Sequence, residues 1–297
     1  MRKYIFFLGW ISICFIGLML FSCSQNEIEL VDPKDGTTEQ SGQNLVEFEM
    51  TDSTPETKLA TPFGAKRYVT IYAYLHGSDV TSPPVQKRNY KSNPTGKLIP
   101  ISAPMKLITG HYDFYAVSTN SLSDKTPLFT NGISAVLAQN TDYLWAKMNN
   151  ISVHPGKISV PFAFLHECGE IIITVKETIF TFVHFIDGVY ITVPGGDSRM
   201  TLANGEIGIA ESLQKKLVSM NVTDNVCQII MLPYKGELPL QVVFKLWINL
   251  HWEYKLYNTS IPLPGNELEA GKQYLYEAIV DESVFELHQK DTVSKSE

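Results

Sequence analysis

The sequence predicts an all-β sandwich protein in which two similar-sized β units meet near the middle of the chain. Short runs rich in Val, Ile, Tyr and Phe alternate in polarity with period two. Glycine, proline, asparagine and aspartate separate them at short intervals, and no stretch shows a well-capped helical period. The third observation is at Asp142–Val175, where the apolar segment Tyr143-Leu144-Trp145 enters a turn at His154-Pro155-Gly156. An extended run at Ile158–Leu165 follows, then Ile171–Val175, whose β-branched side chains lose χ1 freedom in a helix and pack well on a pleat. Similar lengths of chain flank this stretch, which puts one sandwich at residues 44–165 and the other at 166–287.

At the N-terminus, Arg2 and Lys3 precede the apolar run Tyr4–Phe21, and Leu20-Phe21-Ser22-Cys23 sets a leucine three residues before a cysteine. A signal peptidase needs the small residue at Ser22, and the freed Cys23 thiol is the group that receives a diacylglyceryl chain. The run also approaches the ~18–20 apolar residues of an uncleaved bilayer span. The cysteine at that spacing favours a lipoprotein signal over residues 1–22, and with it a Gram-negative envelope address. Removing the signal takes two of the 24 basic residues and none of the 31 acids, so the formal charge moves from −7 to −9. That balance excludes a nucleic-acid partner, which needs a basic face to displace counterions. With 44% hydrophobic and 19% charged residues, the rest of the 297-residue chain buries a core.

Taken in order, residues 23–43 are polar without a hydrophobic period and read as a tether. Leu45–Met50 alternates and is a first strand; Thr51–Lys66, rich in Thr and Pro, follows it. Tyr68–Leu75 sets Val69, Ile71, Ala73 and Leu75 against Tyr68, Thr70, Tyr72 and Tyr74. Ser82–Gly96 reads as a surface loop, Tyr112–Val117 as a strand and Leu122–Thr130 as loop. Beyond the midpoint, Thr181–Ile186 and Val189–Val193 flank Asp187-Gly188, a pair suited to the positive φ values of a type I′ hairpin turn. Ile209–Val218 reads as short helix or loop. Gln241–Tyr257 has apolar residues at every even position from Val242 to Leu256, which predicts one long half-buried strand, bent or broken once by a bulge. Ile261–Gly265 turns the chain, Tyr274–Val280 is a final strand, and residues 288–297 are a polar tail.

Catalytic and metal-binding patterns are not found. His166-Glu167-Cys168-Gly169-Glu170 begins like a zinc-protease helix but has Glu170 where the second histidine is required, and it heads a strand. Gly195-Gly196-Asp197-Ser198 lacks the glycine spacing of a nucleophile elbow. No enzyme, metal or cofactor is therefore expected. Once Cys14 leaves with the signal and Cys23 is acylated, Cys168 and Cys227 remain. They either form a disulfide, as an extracytoplasmic location permits, or lie as two separately buried thiols. Trp247, Tyr257, Tyr72 and Tyr74 allow three readings: ordinary sheet aromatics, a surface for a protein partner, or a platform for sugar rings.

The segments Asp142-Tyr143-Leu144-Trp145-Ala146, Val160-x-Phe162-x-Phe164-x-His166 and Ile171–Val175, with Leu107–Asn120 and Leu268–Val280, resemble the fimbrillin-like lipoproteins of Bacteroidetes. Their order and spacing, with the lipoprotein start, carry the resemblance over most of the chain. It implies two transthyretin-like antiparallel β-sandwich domains and a role as stalk, tip, accessory or anchor subunit of a pilus, and it narrows the address to the outer-membrane cell surface. It also implies assembly by strand exchange. A trypsin-like protease cuts after a basic residue, the first strand leaves, and a neighbouring subunit's terminal strand fills the groove. Mapped onto this chain, Leu45–Met50 is the removable strand, Lys58 the preferred cut and Arg67 the second choice. Ser283–Glu297 turns polar too quickly to donate a strand, which favours a tip or accessory subunit; an anchor would stay uncut and keep acylated Cys23. Asp52-Ser53-Thr54 and Asp291-Thr292-Val293 match a short O-glycan acceptor pattern of these bacteria, at Ser53 and Thr292. The implied partners are other pilus subunits, the outer membrane through the lipid, and a host protein or glycan. The rival reading is a surface glycan-binding lipoprotein.

Overall fold

The computed structural model describes residues 42–51, 64–177, 182–194, 196–208, 215–248, 251–282 and 284–290. Its first body uses β1 (Gln43–Thr51), β2 (Tyr68–Leu75), β3 (Gln86–Ser92), β4 (Lys97–Pro100), β5 (Met105–Ile108) and β6 (Gly110–Ser118). A small pair, β7 (Phe129–Thr130) and β8 (Ile133–Ser134), precedes β9 (Leu144–Val153), β10 (Ile158–Ala163) and β11 (Leu165–His166). The strands hydrogen-bond in the order β10-β1-β4-β3-β2-β6-β9-β11, with β5 also on β1. This sheet folds over on itself, because Phe48 on β1 meets Phe114 on β6 at 5.5 Å although β4, β3 and β2 lie between them in the order. The core so enclosed includes Val46, Ile71, Tyr90, Met105, Tyr112, Leu144 and Phe162.

The second body contains β12 (Gly169–Glu177), β13 (Phe182–Pro194), β14 (Lys215–Ser219), β15 (Asn221–Thr223), β16 (Val226–Met231) and β17 (Tyr234–Lys235). Then come β18 (Leu238–Ile248), β19 (His251–Ile261), a 3-10 turn at Pro264–Asn266, β20 (Glu267–Leu268), β21 (Gln273–Val280) and β22 (Phe285–Gln289). Two sheets, β15-β16-β12-β21-β22 and β14-β13-β18-β19, face each other across Ile171, Ile173, Ile191, Ile229, Val242, Phe244 and Tyr276. This is a β-sandwich, with alternate side chains of each strand turned inward. A third cluster joins residues of both bodies: Tyr72, Tyr74, Tyr115 and Val117 pack with Cys168, Met200, Leu202 and Leu232. It buries both faces of β2, so the tyrosines at 72 and 74 are only 3% exposed.

The bodies repeat one topological feature. β1 lies parallel to β10 and antiparallel to β4 and β5 on its other edge. β12 likewise lies parallel to β21 and antiparallel to β16. The opening strand of each body is thus an interior strand of its sheet.

Several expectations differ from the observed elements. Ile209–Val218, expected as short helix or loop, enters strand β14 at Lys215, and the expected loop Leu122–Thr130 ends in β7. Asp187-Gly188 makes no hairpin: β13 runs straight through it, and the register against β18 shifts between Ile186 and Gly188, as in a bulge. Gly188 does not take a positive φ; a Cβ there would lie 2.7 Å from the Tyr190 ring, so close packing accounts for the glycine. Gln241–Tyr257 is not one strand: Ile248 pairs with His251, and the chain reverses between them. Ser82–Gly96 contains β3, a mostly polar strand anchored by buried Tyr90 and Ser92. Strand β22 continues regular structure to Gln289, past the expected start of the tail at residue 288.

Candidate functional site

The site is the slot occupied by β1. Its sequence alternates, so Asn44, Val46 and Phe48 turn inward while Leu45, Glu47 and Glu49 turn out. Along one edge it pairs in parallel from Val46 with Ile158 to Thr51 with Ala163. Along the other, Gln43–Val46 pair with Met105–Ile108, and Phe48 and Glu49 pair with Leu98 and Lys97. The slot therefore satisfies backbone groups on both sides of the strand, and vacating it would expose two sheet edges.

The inward face fixes the register. Phe48, 2% exposed, sits among Tyr90 at 5.3 Å, Phe114 at 5.5 Å and Phe162 at 5.7 Å. Edge-to-face contacts with the first two and a stack on the third suit the ring quadrupoles. Burial pushes the Tyr90 hydroxyl up to about 12, and the same oxygen accepts the Met105 amide at 3.1 Å. At the start of the strand, Asn44 Nδ2 donates to the Leu107 carbonyl and to Thr109 Oγ1, each at 3.3 Å. At its end the Met50 amide donates to the Gly96 carbonyl at 2.7 Å. Gly96 has φ +81, and a Cβ would press to 3.1 Å from the Met50 carbonyl, so the glycine is needed for this approach. The outer face adds Lys157 with Glu47 at 2.8 Å and Ser159 Oγ donating to Glu49 at 3.1 Å, both solvent-exposed and of little energetic weight.

Of the expected site residues, Cys23, Ser53, Lys58 and Thr292 lie outside the described residues. Arg67 stands one residue before β2; its amide donates to Ser92 Oγ at 2.9 Å and its carbonyl accepts the Ser92 amide at 3.0 Å. Cys168 and Cys227 are free, buried thiols in different clusters, so the disulfide alternative is corrected to two separate thiols. Burial raises both, Cys227 to about 12, which keeps them protonated and unreactive. His166 is buried and bonded through Nδ1 to Asp142 at 2.8 Å, a carboxylate that also accepts from Asn120.

Three of the four expected ring positions are corrected. Tyr72 and Tyr74 are buried, and Tyr257 packs against Phe244 and Phe285 with its hydroxyl donating to the Asp281 carbonyl. Sequence reasoning missed the parallel partner β10 and the role of Asn44. Only the alternation of Val160, Phe162 and Phe164 hinted at the first.

A family model described as fimbrillin-like matches residues 51–296. No curated protein sequence matches the chain. A crystal structure of a Bacteroides uniformis protein assigned to cell adhesion superposes with a TM-score of 0.62 at 16% identity, covering 85% of this chain and 98% of that one. A second such protein, from Bacteroides ovatus, gives 0.59 at 15% identity, covering 84% and 96%. The tip fimbrial protein Mfa3 of Porphyromonas gingivalis gives 0.50 at 10% identity, covering 84% and 98%. At these identities the structures show a shared fold.

Proposed function

The chain belongs to the fimbrillin-like family, and from that membership we propose that it is a pilus subunit at the cell surface, assembled by exchange of β1. A member of this structural and adhesive family is not an enzyme. The observation that carries the exchange reading is the contrast between the two interior opening strands. β12 follows β11 after only two residues, Glu167 and Cys168, and both of its neighbours belong to the sandwich. By contrast, β1 is joined to β2 through residues 52–67, which contain Lys58. One cut in that segment would leave β1 held without a covalent link to β2, by its hydrogen bonds, the Lys157–Glu47 pair and the packing of Val46, Phe48 and Met50.

A vacated slot would present apolar walls and two ladders of unpaired amides and carbonyls, which accept an alternating strand from another subunit. Arg67 is the poorer cut because its amide and carbonyl are both bonded to Ser92, whereas a protease binds extended, unpaired backbone, which leaves Lys58 as the cut we propose. Acylation at Cys23 would tether the uncut chain to the outer membrane, and cleavage would release the body from the lipid.

Limited trypsin digestion of the purified precursor tests this. The expected result is one early cut after Lys58, followed by sodium dodecyl sulfate-resistant ladders once the N-terminal fragment is lost. A Lys58→Gln chain should stay monomeric. Ladders that form equally well in Lys58→Gln, or a cleaved protein that keeps β1 and never polymerises, would overturn the exchange reading.

A further inference from the structure

The outer face of the sheet β14-β13-β18-β19 carries rings where a solvated sheet face ordinarily carries polar residues. Strand register lines them up in rows. Phe185 stands opposite Lys245, which stands opposite Tyr254; in the next row Trp247 faces Trp252, and on the other side Val243 faces Leu256. Trp252 is 43% exposed, Tyr254 60%, Leu256 59% and Phe185 37%. The rings support one another: Trp247 and Trp252 lie 4.7 Å apart, and Phe185 and Tyr254 6.3 Å. A contiguous apolar patch of this kind on a folded surface marks a binding face.

Its centre carries a cation. Lys245 Nζ lies 5.4 Å from the Phe185 centroid and 5.8 Å from those of Trp252 and Tyr254. Among the described residues, no carboxylate forms an ion pair with this ammonium. The face thus offers π surfaces and one unpaired positive charge on a protein whose formal charge is −7.

Three occupants fit apolar rings on a flat sheet, and the charge separates them. A second copy docking face to face about a two-fold axis would bring Lys245 against its own symmetry mate, a like-charge contact in a desolvated interface. An anionic membrane surface is held by a polybasic patch, and one lysine on this face falls short of it. A chain of sugars bearing carboxylates matches both features. The C–H faces of pyranose rings pack on exposed aromatic rings, and a sugar carboxylate forms a charge-assisted hydrogen bond to the ammonium. The shallow, open face also suits an extended polymer better than a small enclosed ligand.

We propose that the outer face of β13, β18 and β19 binds an acidic glycan, with sugar rings stacked on Trp252 and Tyr254 and a sugar carboxylate paired with Lys245. Uronic acids and sialic acids share this chemistry. The site stands on different strands from the β1 slot and does not depend on strand exchange.

Titration calorimetry on the intact mature chain tests it with two acidic probes and their neutral counterparts. Tetragalacturonate is compared with its methyl ester, and sialyllactose with lactose; the arm that binds identifies the source of the acid. The expected result is affinity at least about tenfold tighter for one acid than for its neutral partner, the order of one charge-assisted bond. Trp252→Ala and Tyr254→Ala, both exposed and so expected to keep the melting temperature, should each weaken binding about tenfold or more. Lys245→Gln should erase the acid preference while leaving residual neutral binding. Equal affinity for acid and neutral probes, no heat with either acid at roughly millimolar concentration, or a Trp252-dependent dimer in sedimentation would each overturn the proposal.

Discussion

At Glu167 a carboxyl is held where both burial and a neighbour oppose its charge. Loss of solvation, and after it the Glu206 carboxylate, push its pKa up to about 8. The residue is fixed there because its amide donates to the Tyr143 carbonyl at 2.9 Å, with buried His166 and Cys168 on either side. Gly205, at φ +79, lets the opposing loop approach; a Cβ would come within 2.7 Å of the Trp145 ring and 2.8 Å of Glu167 Oε1. Glu167 lines a cleft of about 360 Å³ with Glu206, Glu267 and Glu269. Because the folded pKa stands above the ordinary glutamate value of 4.5, the folded state holds the proton more tightly than the unfolded chain. The stability this provides is complete below about 4.5 and is lost as pH rises toward 8. Glu167→Gln should flatten that decline and raise stability at pH 8.5 by roughly 1–3 kcal/mol, measured as urea midpoints across the pH range. Nothing in the sequence marked this group. His166–Glu170 is legible only as a failed metal motif, since the burial of Glu167 comes from a loop some forty residues further along the chain.

At the scale of strands, legibility depended on whether a pattern had one physical cause or two. Tyr68–Leu75 and Tyr274–Val280 were readable almost to the residue because single strands with buried faces produced them. The even-numbered apolar run from Val242 to Leu256 has two causes. In the β18–β19 hairpin Val242, Phe244, Leu246 and Ile248 face the core, whereas Trp252, Tyr254 and Leu256 face outward. A reversal of this length moves even residues to the opposite face, and only the apolar outer patch made it look like one continuous strand. The same patch also hid where the exposed rings lie, which is at Trp252 and Tyr254 rather than at Tyr72, Tyr74 or Tyr257. Strand β1 was legible as an alternating segment, but its interior position was not, since parallel pairing with β10 joins residues more than a hundred positions apart. Its packing supplies a test. Phe48→Ala removes the ring shared by Tyr90, Phe114 and Phe162 and should cost about 3–5 kcal/mol, while Leu45→Ala on the outer side should cost within about 0.5 kcal/mol. After limited trypsin digestion, size-exclusion chromatography should find the N-terminal fragment shed faster by Phe48→Ala than by Leu45→Ala, which should release it at the rate of the unaltered chain.

Over the whole molecule, the two bodies keep separate cores. The cluster around Phe48 draws on residues 46–164, and the cluster around Phe244 on residues 171–280. They meet through the third cluster, in which Tyr72, Tyr74 and Tyr115 from the first body pack with Met200, Leu202 and Leu232 from the second. None of those contacts involves β1. Loss of β1 should therefore weaken the first core while leaving the joint and the second core in place. Scanning calorimetry can show it. The uncut protein should melt in one transition or two closely spaced ones. Cut protein from which β1 has been washed away should show a first transition lowered by at least about 10 °C and a second within about 2 °C of its original position. A synthetic peptide of Gln43–Thr51 should restore the first transition, and the same peptide with alanine in place of Phe48 should not. A single transition shifted as a whole would mean that the joint transmits the loss, and that the bodies fold as one cooperative unit.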